Sequence, residues 1–123
     1  MSKFVIDAMM DDGLDYLSAN VTEIYVCTGD PADRAAAITN ALATRTGLGP
    51  GNWTGPADGD TSGRKITKNA ETGISIGTSG TANTVCLCSA TALICKTDVT
   101  AQALTNGGTV DVNAFDDEIA DAA

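Results

Sequence analysis

From residue 64 the chain reads RKITKNA (64–70), TGISIGT (72–78), NTVCLCS (83–89), ALICKT (92–97), VTAQAL (99–104), TVDV (109–112) and AFDDEI (114–119). These seven short runs are separated by Gly, Asn, Ser and Thr. Runs of this length, rich in β-branched residues and bounded by turn formers, are strands. The last pair is the clearest: after the turn signal Asn106-Gly107-Gly108, Val110 and Val112 alternate with Asp111 and Asn113. Close spacing predicts an antiparallel β-sandwich or a partly closed barrel rather than parallel strands joined by helices.

The first 46 residues are different. Ile6, Met10, Leu14 and Leu17 form one apolar row, with Asp7, Asp11 and Asp15 on another side, so residues 2–20 read as an amphipathic helix weakened at Gly13. Val21 to Thr28 reads as a strand with Ile24 and Val26 on one face and Tyr25 and Cys27 on the other. Asp30 as N-cap, Pro31 at the first helical position and Ile38 and Leu42 four apart predict a second short helix running to about Thr44. Residues 47–63, GLGPGNWTGPADGDTSG, hold six glycines and two prolines and predict a long loop whose one large side chain is Trp53. That tryptophan anchors the loop either to a partner or to the chain's own core. The expected architecture is α+β, mainly β, in one domain: helix-strand-helix (1–46), Gly/Pro-rich loop (47–63) and antiparallel strands (64–123).

Composition narrows the function classes. Sixteen Asp and Glu against seven Lys and Arg give a net charge of −9, which repels phosphate backbones and anionic lipid and argues against nucleic acid or membrane as a partner. The apolar fraction of 43% is inflated by alanine, and only Phe4, Tyr16, Tyr25, Trp53 and Phe115 are aromatic. A core this thin gains from docking on something larger. MSKFVIDAMMDDGLDYL carries four aspartates where an export signal is apolar, so synthesis in the cytoplasm is expected.

For Cys27, Cys86, Cys88 and Cys95, reduced and buried thiols are the default in that compartment. A two-residue turn at Ala90-Thr91 would set Cys86 opposite Cys95 and allow a disulfide between them. Zinc is disfavoured, since paired C-x-x-C knuckles and histidine are both missing. Asp58 to Gly63, DGDTSG, matches the head of a calcium loop, but Lys65 and Asn69 stand where an apolar residue and a glutamate belong. Without histidine the hydroxyls and thiols lack their usual base, and the Asp116/Glu118 pair lies in an acidic terminal run. No catalytic, cofactor or metal residue is expected.

Taken together, Asp7-Ala8-Met9 at the start of a helix, a strand ending at Cys27 before Pro31, then DGDTSGRK, a hydrophobic hairpin and the ending AFDDEIADAA resemble a family of small tailed-bacteriophage virion structural proteins. Gly59 to Lys65 and Ala114 to Ala123 are the most specific segments, and the likeness covers nearly the whole chain. The resemblance implies a head decoration or cement protein on the exterior of the capsid, bound to the major capsid protein and to neighbouring copies of itself. A tail or head-tail connector component and a host-adhesion module are the alternatives. On this reading Phe4, Met9 and Trp53 are apolar anchors, Arg64 and Lys65 meet shell carboxylates, and the strand at Phe115 pairs edge to edge with a neighbour.

Overall fold

The computed structural model describes residues 6–119. In chain order these form α1 (Asp7–Asn20), β1 (Glu23–Cys27), α2 (Arg34–Thr39), β2 (Ala41–Thr46), β3 (Trp53–Asp58), β4 (Arg64–Lys68), β5 (Glu71–Ser75), β6 (Gly80–Cys88), β7 (Leu93–Leu104), β8 (Thr109–Val112) and β9 (Phe115–Ile119). Every strand pairing is antiparallel. The fold class is thus α+β, mainly β, as expected. The described residues gather into two compact units, one from residues 6–19, 49–70 and 113–119, the other from Asn20–Leu48 and Glu71–Val112.

The first unit is the sheet β3-β4-β9 with α1. Side chains alternate along a strand, so Arg64, Ile66 and Lys68 share one face of β4, while Lys65 and Thr67 share the other. The first face is the inner one. Ile66 and Lys68 are buried, as are Met10 and Leu14 of α1, and Arg64 reaches Asp11 of the helix with Nε donating to Oδ1 at 2.7 Å. Burying Lys68 requires acceptors for its ammonium, and Nζ donates to the Asn69 carbonyl at 2.9 Å.

The second unit holds the sheet β2-β1-β6-β7 and the pair β5-β8. Ile24, Tyr25, Val26 and Cys27 are all buried, because β1 lies between β2 and β6 and is covered on both faces. Opposite residues share a face, so the pairs Tyr25↔Cys86, Glu23↔Cys88 and Cys27↔Thr84 put three thiols together. They pack with Tyr25 and with Ala37 of α2. Arg34 ties that helix down, its Nε and Nη2 donating to the two carboxylate oxygens of Glu23 at 3.0 and 3.1 Å, while the Tyr25 hydroxyl donates to the same carboxylate at 2.9 Å.

Four expectations are corrected. The second helix stops at Thr39, and residues 41–46 form β2 against β1, because backbone pairing with a neighbouring strand outweighs the weak helical preference of ALATRT. Its N-cap is Asp33, whose Oδ1 accepts from Ala36 N at 2.8 Å, not Asp30. The loop 47–63 contains β3, held by β4, with a bulge that accommodates Gly55-Pro56. ALICKT and VTAQAL are one continuous strand, β7.

The Cys86–Cys95 pairing is also corrected. The hairpin closes as anticipated, with Ser89 N donating to Ala92 O and Cys88 opposite Leu93. A bulge then inserts Ile94, so Cys95 faces Leu87, and Lys96 faces Cys86. One inserted residue moves a side chain to the opposite face of the sheet, and none of the four cysteines is joined in a disulfide.

Burial pushes the Cys27 thiol up to about 12 and Cys88 to about 11, while Cys95 is only half-buried. Because the thiolate is the reactive form, iodoacetamide at neutral pH should alkylate Cys95 first and reach Cys27, Cys86 and Cys88 only after unfolding. Mass spectrometry of the native protein would overturn this by finding two or more thiols labelled at the Cys95 rate.

Candidate functional site

The densest set of polar contacts in the first unit lies where the turn between β3 and β4 meets β9. Gly59 N donates to Gly63 O at 2.9 Å and closes the turn. The β4-β9 register sets Lys65 opposite Glu118 and Thr67 opposite Asp116, all on the outer face. Lys65 Nζ lies 2.6 Å from Asp60 Oδ1 and 3.3 Å from Asp116 Oδ2, and Thr67 Oγ1 donates to Asp116 Oδ1 at 2.6 Å. The Asp60 backbone N–H donates to Glu118 Oε1. On the inner face, Arg64 pairs with Asp11 and, through Nη1, with Asp58 at 2.8 Å.

These contacts set the local charge states. The Thr67 hydroxyl, with help from Lys65, holds the Asp116 carboxyl below the ordinary carboxylate range. Asp60, then Asp116, raises Lys65, and Asp11, then Asp58, raises Arg64. Asp117, one residue along on the inner face, goes the other way: burial first and the Asp116 charge second raise it. Its Oδ2 and the Trp53 Nε1 are buried and have no hydrogen-bond partner among the described residues. Asp58, Asp60, Asp116 and Glu118 are thus answered by cations, a hydroxyl or an N–H, which makes the cluster a brace between distant segments of the chain.

The residues singled out from sequence fall in different places. Arg64 and Lys65 sit at the centre of the brace. Trp53 is buried at the start of β3, so its ring faces inward and is withdrawn as a surface anchor. Phe115 is half-buried on β9, which pairs with β4 on one side and is an edge strand of its sheet. Met9 is 68% exposed. Phe4 lies outside the described residues. Asp58 and Asp60, the head of the calcium-like motif, are turned toward Arg64 and Lys65.

Asp11, Thr67, Asp116 and Glu118 are members that sequence reasoning did not assemble. The alternation of β4 against β9 carries the signal for the last three, but only once the register is known. No protein-family model, curated protein or solved structure matches the chain.

Two variants test the brace. A Cβ at Gly59 would overlap the Ser62 carbonyl oxygen and press on Glu118 Oε1 at 2.6 Å, so Gly59→Ala should destabilise the fold by roughly 1–3 kcal/mol in urea unfolding. An unchanged midpoint would show that the turn relaxes freely. Asp117 is raised above its ordinary value near 3.8, so its ionised form opposes folding at neutral pH and that penalty fades as pH falls through the raised value. Asp117→Asn should therefore stabilise by about 1 kcal/mol at pH 7, and its advantage should shrink toward pH 4. Asp116 acts with opposite sign: being lowered, it contributes stability that is lost as the medium becomes acid enough to protonate it. An advantage for Asp117→Asn that is constant from pH 7 to pH 4 would overturn the assignment.

Proposed function

We propose that this chain is a structural component of a tailed-bacteriophage particle, a decoration or cement protein that binds the exterior of the capsid shell and stabilises it. The observation that carries the proposal is where the resemblance falls. Its two most specific segments, Gly59–Lys65 and the 114–123 ending, are distant in sequence, yet their described parts meet along β4 and β9 and supply most of the brace. A motif pair that builds a rigid charged platform suits a protein whose surfaces do its work.

Charge and core size support the same reading. A chain at −9 stays soluble at high copy number and avoids packaged nucleic acid. A cement protein acts by mass action: it binds the assembled shell in preference to free subunits, and the binding free energy is added to the shell's stability. Arg64 and Lys65 are engaged within the chain, so the brace orders the surface and the shell is met by other side chains.

Stained-gel stoichiometry of purified particles, with a particle reconstruction, tests this. Hundreds of copies following the shell symmetry are expected, together with a lower temperature of genome release in particles lacking the protein. A copy number of about a dozen at one vertex would replace the head role with a connector role. Binding of the purified protein to host cells would replace it with adhesion, and absence from particles would end the proposal.

A further inference from the structure

One side of α1 is largely exposed. Met9, Gly13 and Tyr16 follow one another at steps of four and three, so they lie along one side of α1, next to the buried row of Met10 and Leu14, and Ile6 precedes the helix three residues before Met9. Ile6 and Tyr16 are each 58% exposed and Met9 is 68% exposed. These are three of the six large exposed apolar side chains among the described residues. Between them Gly13 leaves open the Ile119 Cδ1 methyl of β9, which an added Cβ would approach to 3.3 Å, and Ile119 is itself 38% exposed. The stripe is therefore continuous, and methionine and tyrosine are residue types that protein interfaces favour.

Charge selects the occupant. Asp12 borders the stripe, three residues from Met9 and four from Tyr16, and it has no ion-pair partner among the described residues. Among the described residues of the same unit, Arg64 and Lys65 are held by Asp11, Asp58, Asp60 and Asp116, and Lys68 is buried. A second copy would bring the same acidic border and its own −9 charge to the contact. An anionic membrane is disfavoured too, since helices that lie on lipid carry Lys and Arg on their polar face. We infer that the Ile6-Met9-Tyr16 face of α1, with Ile119, is the docking face for a protein surface that is apolar at its centre and cationic at its rim. This deepens the proposed function and rests on it for where that partner resides: the shell would present a Lys- or Arg-bordered apolar groove to α1.

The test uses the full chain and a defined probe, a fluorescein-labelled amphipathic peptide of about 18 residues built from Leu and Lys, long enough to lie along α1 as a helix. Its Leu/Glu counterpart is the control. The Leu/Lys peptide should bind with an affinity that falls as salt rises, and the Leu/Glu peptide should not. Met9→Ser with Tyr16→Ser should weaken binding by about tenfold or more, with the circular dichroism spectrum unchanged, whereas Ile38→Ser, on an exposed residue of α2, should leave it unaltered. Equal binding by the double variant overturns the inference. Sedimentation showing self-association that the double variant abolishes overturns it in favour of a second copy.

A particle arm separates this from the broader reading. If the wild type is found on particles and the double variant is incorporated equally, the face is wrong and the structural role stands. If peptide binding maps to the face while the chain is absent from particles, the face stands and the structural role fails.

Discussion

The pairing of β4 with β9 is the constraint on which the first unit depends. It joins Arg64 to Ile119 and Lys68 to Phe115, and between those strands the chain leaves, builds β5 to β8, and returns. Closing so long a loop costs chain entropy before any contact forms. The register must therefore be fixed by something stronger than alternation of small and polar residues. Lys65 and Thr67 fix it from one side and Asp116 and Glu118 from the other, because a slip of one residue would turn the acids away from the lysine. The turn at Gly59 enters the same arrangement through the N–H of Asp60, so three stretches of chain share one set of contacts.

The second unit is held differently. Its central strand β1 is buried on both faces, and the polar groups around it pair locally. Glu23 takes both the Arg34 guanidinium and the Tyr25 hydroxyl, Thr84 Oγ1 donates to Gly29 O at 2.6 Å, and Lys96 Nζ reaches Asp30 and the Pro31 carbonyl at 2.8 Å. The three cysteines on the α2 face act as small apolar side chains. Their raised thiol values follow from that burial, Cys27 donating to the Ala37 carbonyl at 3.3 Å.

How much of this was legible in the sequence depended on whether a signal was local. The Met10–Leu14 row of α1, the faces of β1 and the β8 alternation are periodicities within one element and were read correctly, whereas Ile6, assigned to the same row, precedes the helix and is exposed. Residues 41–46 were misread because Leu42 continues the spacing of Ile38, and nothing within ALATRT announces that β1 is waiting as a partner. Strand β3 was hidden because Gly55 and Pro56 are poor strand formers, tolerated here inside a bulge. The bulge at Ile94 is a third case: the turn at Ala90-Thr91 was legible, but an extra residue three positions later reversed the face of Cys95. In the brace the acids and cations were visible as types, and only the register brought Asp116 to Lys65.

Departures from local consistency are concentrated in the first unit. A glycine stands in the middle of α1, Met9 and Tyr16 point outward from a helix whose other side is buried, and Trp53 Nε1 and Asp117 Oδ2 lie buried without partners among the described residues. The glycine lowers stability by about 1 kcal/mol and each unpaired buried group by a comparable amount. A sequence shaped only for stability would replace several of them. Such exceptions are expected where surface chemistry is held for another purpose, and they fall in α1, β3 and β9 while the polar groups around β1 pair with one another. Gly13 is the one of these costs that lies on the same side of α1 as the exposed Met9 and Tyr16, and an added Cβ there would approach Ile119.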